Sequence, residues 1–221
     1  MDIKTPFVIV NFKTYQESSG ENAVKLAKIC EEVSKKTKIE IAVAVQASDI
    51  YRVSKAVNIK VMAQHIDAAE AGKFTGHIYA GNVKENGASG TLLNHSERTI
   101  DAKTLQKSIL AARAAGLFVV ACAPTPAMAK TAASYNPDFV AIEPPELIGG
   151  DISVSTAKPQ IITNTIKKTG TIPVLCGAGI KTTQDVKKAY ELGAKGLLVA
   201  SGIDVAKNQK EALMSLVAGF R

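Results

Sequence analysis

The chain has 221 residues, of which 46% are hydrophobic and 21% charged, and its formal net charge is +7. That length and composition are ordinary for a globular chain with one large core, as a single α/β domain or two small ones. The lysines are spread along helical segments and mixed with acidic residues, and aromatic residues make up only 5%. Such a pattern is typical of a solvated surface and argues against a nucleic-acid partner, although a positive field favours the approach of a small anion.

Several further classes of protein are disfavoured by short local patterns. The three cysteines are widely spaced, with no CxxC pair and no grouped histidines, so neither disulfides nor a metal site is indicated. The N-terminal apolar run is too short for a signal sequence. The longest uncharged stretch, 114–129, contains Gly116, Pro124 and Pro126 and is too short for a membrane helix. We interpret it as a helix end, a strand and a loop, and we expect a cytoplasmic protein without a membrane partner.

Eight short apolar runs rich in β-branched residues recur along the chain. Most are uninterrupted, which is typical of parallel strands covered on both faces. The predicted strands are 7–12, 39–45, 59–64, 91–94, 117–123, 139–143, 172–177 and 196–201.

Amphipathic helical patterns alternate with these runs. The predicted helices are 21–36, 101–116, 155–170 and 182–193, with a less clear one at 80–87. Eight strands alternating with helices predict an α/β fold, a single (β/α)8 TIM barrel, with a doubly wound open sheet as the alternative. No linker rich in Pro, Gly or Ser divides the chain, so one domain over 1–221 is expected.

Polar residues follow several predicted strands at their carboxyl ends. Asn11 and Lys13 follow the first, His95 and Glu97 the fourth, and Glu143 the sixth. In a barrel these ends meet at one mouth, which is where the chemistry of this fold lies. Each residue alone could be a surface or capping residue, but their shared position at carboxyl ends favours a site.

The ends of strands seven and eight carry glycines suited to an anion. Gly177 and Gly179, then Ser201 and Gly202, let backbone N–H groups approach a phosphate, and a short helix after strand eight would add its positive end. No GxGxxG follows the first strand and no Walker pattern occurs, so a nucleotide is not favoured. The sequence predicts a small phosphate ester as substrate.

The remaining strand-end groups suit proton transfer next to a carbonyl. Glu143 offers a general base, His95 a general acid or neutral hydrogen-bond donor, and Lys13 a fixed cation. No cofactor is needed for such chemistry. The segment after Glu143, "PPELIGGDI", has prolines at one end and glycines at the other, which suits a water-excluding lid.

These motifs together resemble one enzyme family. "NFK", "AQH…GKFTG", "NHSER", "EPPELIGG", "GAG" and "VASG", in this order, are similar to those of triosephosphate isomerases, particularly the short archaeal form. The resemblance implies interconversion of dihydroxyacetone phosphate and glyceraldehyde 3-phosphate, a glycolytic and gluconeogenic reaction that general treatments of pKa tuning and lid closure use as an example. It also implies a homodimer or homotetramer.

The resemblance implies a role for each matching residue. Glu143 is expected to be the base, and His95 a neutral electrophile beside the N-terminus of a helix that begins near Ser96. Lys13 and Asn11 are expected to bind substrate, with Glu97 supporting Lys13 or the histidine loop. The expected phosphate contacts are Ile148, Gly149, Gly179, Ala200 and Ser201.

The sequence departs from the longer family members in its phosphate loops. It has Cys176, Gly177, Ala178 and Gly179 where a Tyr-Gly-Gly-Ser loop is usual, so other contacts must hold the closed lid. Two other functions stay open: a phosphate-binding aldolase or indole-type synthase with Lys13 as a Schiff-base lysine, and a nucleic-acid-binding module.

Overall fold

The computed structural model describes residues 3–147 and 153–221 and contains a closed barrel of eight parallel strands. The strands are β1 (Phe7–Asn11), β2 (Glu40–Val45), β3 (Lys60–Ala63), β4 (Gly90–Leu93), β5 (Phe118–Ala123), β6 (Phe139–Ile142), β7 (Val174–Cys176) and β8 (Gly196–Val199). All eight predicted strands are present, and each differs from its predicted bounds by only a few residues. The barrel prediction is confirmed, and the alternative of an open sheet is wrong.

Pairing between the first and last strands closes the barrel. Phe7 lies opposite Gly196, and a Cβ on Gly196 would come within 1.8 Å of the Phe7 carbonyl oxygen. Since successive strand residues point to opposite faces, each strand contributes to two core layers. One layer fills the barrel, with Phe7, Ile9, Ala42, Met62 and Leu92 among its members, and the other packs the barrel against the helices.

Helices connect the strands around the outside of the barrel. They are α1 (Glu21–Thr37), α2 (Ile50–Ser54), α3 (Ala80–Glu85), α4 (Ala102–Ala114), α5 (Pro126–Ser134), α6 (Val154–Ala157), α7 (Pro159–Thr169), α8 (Thr183–Glu191), α9 (Ser201–Asp204) and α10 (Gln209–Val217). Short 3-10 turns lie at Gln16–Ser18, Ala47–Asp49, Pro145–Leu147 and Ala218–Phe220. None of the helices in the described ranges combines the length and apolarity that a bilayer crossing requires.

Three helix predictions need correction. The end of the stretch interpreted as a loop is the start of α5, because Pro126 occupies the first turn and Thr125 caps it. The predicted helix 155–170 is two helices, α6 and α7, which meet at Lys158, because the proline that follows it disfavours helical geometry there. No helix begins near Ser96: α4 starts at Ala102, capped by Asp101.

Candidate active site

A tight turn at Asn94 places His95 in the mouth of the barrel. Asn94 has φ 58°, a left-handed conformation that asparagine tolerates better than most residues. Its side chain holds the turn, because Oδ1 accepts a hydrogen bond from the Ile100 amide at 2.9 Å and Nδ2 donates to the Cys122 carbonyl at 3.0 Å. His95 itself is buried, with 7% of its surface exposed.

A backbone amide in the same turn sets the protonation of His95. The Glu97 N–H donates to Nδ1 at 3.2 Å, so that nitrogen must be unprotonated and the ring proton lies on Nε2. Burial lowers the pKa of His95, which further favours the neutral ring. The expected helix dipole near Ser96 is therefore replaced by one amide of a turn.

Glu143 faces His95 from the end of β6. Its Oε2 lies 3.7 Å from His95 Nε2 and has no hydrogen-bond partner among the described residues. Burial raises the pKa of Glu143 to about 7, against smaller opposing effects of the Cys122 thiol and Lys13. A carboxylate with this pKa can both take and return a proton near neutral pH.

Two small neighbours fix the position of Glu143. Cys122 on β5 lies beside its side chain, and its thiol acts to lower the pKa of the Glu143 carboxyl. Gly177, just after β7, leaves room for it, because a Cβ there would lie 2.5 Å from Glu143 Cγ. Glycine is therefore required at 177 by close approach to the carboxylate side chain.

Lys13 extends into the mouth from a strained turn after β1. Its φ is 46°, and its amide donates to Asn11 Oδ1 at 3.2 Å while its carbonyl accepts from Gln64 Nε2 at 2.8 Å. The Nζ forms an ion pair with Glu97 Oε1 at 2.6 Å. Strain at such a position indicates that the surrounding contacts hold it in place for function.

The loops after β7 and β8 complete one wall of the mouth. Asn11, Lys13, His95 and Glu143 share one pocket with residues from those loops: Gly177, Gly179, Ile180, Lys181, Ala200, Ser201 and Gly202. Gly179 has φ 69°, which glycine adopts without strain. The short helix expected after strand eight is present as α9. The expected phosphate contacts Ile148 and Gly149 lie outside the described residues.

Comparisons with known proteins identify the family. The family model described as triosephosphate isomerase matches residues 6–218. The triosephosphate isomerase of Methanobacterium bryantii is 50% identical over 219 residues, covering 97% of both chains. That of Methanothermus fervidus is 47% identical over 216 residues, covering 96% of this chain and 97% of the relative.

The chain belongs to the triosephosphate isomerase family. A solved triosephosphate isomerase from Bartonella henselae has the same fold, with a TM-score of 0.76 at 20% identity, and the match covers 99% of this chain and all of that one. The (β/α)8 barrel is therefore supported by structural similarity as well as by strand order.

Two residues of this family member's site had no assigned role in the sequence predictions. Gln64 ends a predicted strand with a polar side chain, so the strand-end rule that selected His95 could have selected it. Cys122 carries no comparable signal, since it is a small residue in an apolar run. Gly177 was predicted to approach the phosphate, and the structure adds its close approach to Glu143. Within the described residues, no group of three or more His, Cys, Asp or Glu side chains could hold a metal ion.

Proposed function

We propose that this triosephosphate isomerase family member interconverts dihydroxyacetone phosphate and D-glyceraldehyde 3-phosphate through an enediolate, as part of glycolysis and gluconeogenesis. The observation that carries the proposal is the facing pair at the mouth, with Glu143 Oε2 3.7 Å from His95 Nε2. A base for the carbon acid and a hydrogen-bond donor for its carbonyl oxygen, adjacent in one mouth, are what proton transfer next to a carbonyl requires.

Glu143 is the base of the proposed reaction. Its ionised carboxylate takes the proton from C1 of dihydroxyacetone phosphate and returns it to C2. Because burial raises its pKa to about 7, its proton affinity is close to that needed for both steps at neutral pH. Its Oε2 is buried and has no hydrogen-bond partner in the part of the chain that the structure describes, so it is available for the carbon acid.

His95 stabilises the oxygen that gains charge. With Nδ1 accepting from the Glu97 amide, Nε2–H is the donor that faces the mouth. A neutral imidazole donates to the carbonyl oxygen and to the enediolate without adding a second cation beside Lys13. The buried position strengthens this hydrogen bond, since little water competes.

Lys13 and the loops after β7 and β8 bind the anionic parts of the substrate. The Lys13 ammonium balances the phosphate and the developing enediolate, and Asn11 hydrogen-bonds beside it. Gly179, Ala200 and Ser201 present backbone amides to the phosphate. Glu97 holds Lys13 through their 2.6 Å ion pair. The roles proposed for Ile148 and Gly149 in phosphate contact rest on the family resemblance alone.

The Schiff-base alternative is less well supported. A Schiff-base lysine needs a desolvated, neutral amine, whereas the Lys13 ammonium is held in an ion pair with Glu97. Borohydride trapping with either triose phosphate distinguishes the two. We expect no covalent adduct, and an adduct at Lys13 would favour an aldolase.

A coupled assay in both directions tests the proposed function. We expect interconversion of the two triose phosphates, with kcat/KM falling as the pH drops through about 7 because Glu143 becomes protonated. The phosphate group of the substrate ionises near pH 6, so the acid limb is fitted with two steps. A folded preparation that interconverts neither substrate in either direction would remove the proposal.

We also infer a homodimer or homotetramer in the cytoplasm. Exposed apolar side chains support self-association: Phe74 and Tyr79 lie between β3 and α3, and Leu110 and Met128 lie on the neighbouring helices α4 and α5. Light scattering at several protein concentrations measures the mass and separates dimer from tetramer.

A further inference from the structure

The carboxylate of Asp185 links two segments of the chain. One is the loop after β7, which lines the mouth, and the other is the chain around the start of α6. Asp185, in the first turn of α8, accepts five hydrogen bonds from described residues. Two come from the loop amides of Lys181 (3.2 Å) and Thr182 (2.9 Å). The others come from the hydroxyls of Thr182 (2.8 Å), Ser153 (2.6 Å) and Thr156 (3.3 Å).

These contacts divide between the two carboxylate oxygens. Oδ2 accepts from the loop after β7, which runs into α8, and Oδ1 accepts from the residues around the start of α6. Ser155 adds a hydroxyl donated to the Asp185 carbonyl at 3.0 Å. The Val154 amide donates to the Ala178 carbonyl at 3.1 Å, so the same two segments also meet through backbone.

The inner end of this linkage is buried. Ser153 is 2% exposed and Ser155 is fully buried, so water competes little for their hydroxyls. The other end of the linkage is the backbone at Lys181 and Thr182. This loop includes Gly179, Ile180 and Lys181, which line the mouth beside Ala200 and Ser201. A single side chain therefore joins a buried anchor to the backbone that faces the substrate's phosphate.

We propose that Asp185 is a positioning residue for phosphate binding, which holds the loop 178–182 in its binding conformation by anchoring it to Ser153. The inference rests on the proposed function for the identity of the substrate, but the affinity for phosphate can be measured without turnover. A loop that is not held must be ordered by the ligand, and that cost lowers affinity without changing the groups that perform proton transfer.

A helix cap alone would not produce this effect. Asp185 and Thr182 form a capping box, and Asp101 caps α4 with 2.9 Å and 2.7 Å hydrogen bonds to the amide and hydroxyl of Thr104. Asp101 is exposed and does not line the mouth, so it provides a matched control for the cost of losing a capping carboxylate.

The experiment compares Asp185→Asn, Ser153→Ala and Asp101→Asn with the unchanged chain. Ser153→Ala removes the 2.6 Å hydrogen bond to Oδ1, and with it the cap of α6, but keeps the capping box of α8, so it stays informative if Asp185→Asn folds poorly. The readouts are the dissociation constant of inorganic phosphate by calorimetry, KM and kcat for glyceraldehyde 3-phosphate, and the thermal midpoint.

Asp185→Asn and Ser153→Ala should each weaken phosphate binding by about tenfold and raise KM in parallel, with kcat changed less than about threefold. Asp101→Asn should lower the thermal midpoint and leave phosphate affinity unchanged. Wild-type phosphate affinity in Ser153→Ala, or an equal loss of affinity in Asp101→Asn, would overturn the proposal. Absence of turnover in the unchanged chain would remove the proposed function instead.

Discussion

Two buried carboxyl groups in this barrel have much in common. Glu143 is 4% exposed and Asp204 is fully buried. Burial raises the pKa of each to about 7. Both Asp204 oxygens and one Glu143 oxygen lack a hydrogen-bond partner among the described residues. By burial and proton affinity alone, the two groups could not be assigned different functions.

Their surroundings differ. Glu143 opens onto the mouth and faces His95, whereas Asp204 ends α9 and is not among the described residues that line the mouth. The charges that act on Asp204 are Lys13, which lowers its pKa, and Glu17, which raises it. Burial raises the pKa of Cys30 on α1, and the charge of Asp204 adds a smaller increase. A shifted pKa therefore indicates a catalytic group only where a hydrogen-bond donor and a space for substrate adjoin it.

The largest expected difference is in turnover. Glu143→Gln should lower kcat by about 10³-fold, because it removes the base, while the matched Asp204→Asn should change kcat less than about twofold. Steady-state kinetics of both variants, with circular dichroism to check folding, make the measurement. A large loss of kcat in Asp204→Asn would mean that the two carboxyl groups share the chemistry.

Lys13 acts on both carboxyl groups, so its replacement sharpens the comparison. Lys13→Met should lower kcat/KM by about 10²-fold, since a cation that stabilises phosphate and enediolate is lost. It should also move the acid limb of the pH profile upward, because Lys13 lowers the pKa of Glu143. Lys60, paired with Glu40 at the opposite end of the barrel, is the control, and Lys60→Met should retain kcat/KM. Wild-type kcat/KM in Lys13→Met would place this lysine outside the site.

The free energy of unfolding should depend on pH through Asp204 in the same way as through Glu143. A raised folded-state pKa means that the folded chain binds the proton more tightly, so stability falls as the pH rises from about 4 to about 7 and is level above. At pH 8, Asp204→Asn and Glu143→Gln should stabilise the chain by about 4 and about 3 kcal/mol respectively, and at pH 4 by much less.

Urea unfolding at fixed protomer concentration measures this difference. Equal effects of Asp204→Asn at pH 4 and pH 8 would show that the carboxylate charge is not the cause. If Glu143→Gln stabilises the chain and also abolishes turnover, then the carboxylate at this residue lowers stability while it supports activity.

The smallest effect concerns crowding near Glu143. Gly177→Ala places a Cβ 2.5 Å from Glu143 Cγ, and the carboxylate must move, so kcat should fall by about tenfold. Gly219→Ala is the control, because its Cβ would lie 2.4 Å from the Thr183 carbonyl, away from the mouth. Gly219→Ala should lower the thermal midpoint and retain kcat. A Gly177→Ala variant with unchanged kcat would show that Glu143 adjusts without cost.

Sequence patterns predicted the barrel because strands buried on both faces leave a strong signal. Runs such as 117–123 have few alternative structures, and their observed bounds differ by one or two residues. The sequence does not predict α5 because a proline such as Pro126 commonly interrupts a helical pattern, although proline is favourable in a first helical turn. Helix α10 was missed because "NQKEALMSLV" follows the last strand, where the alternation of strands and helices gives no further constraint.

The sequence predicted which residues form the site better than it predicted the local geometry that holds them. The strand-end rule and the family motifs selected Lys13, His95 and Glu143, which share one pocket in the structure. The source of the neutral histidine was wrong, because a single amide in a turn has no sequence signature. The sequence does not predict the burial of Asp204, since the burial of a single aspartate depends on tertiary packing rather than on a local pattern.

The pairing of β1 with β8 has a consequence for biosynthesis. Among the strands of the barrel, β1 is made first, and it finds its second neighbour only when β8 has been made. Until then, a nascent chain presents unpaired edges at β1 and at its newest strand, and such edges invite association with other chains. Closure of this barrel therefore depends on the contact between its most distant strands in sequence. Chaperones are most needed in the interval before β8 emerges, while the strand edges are unpaired.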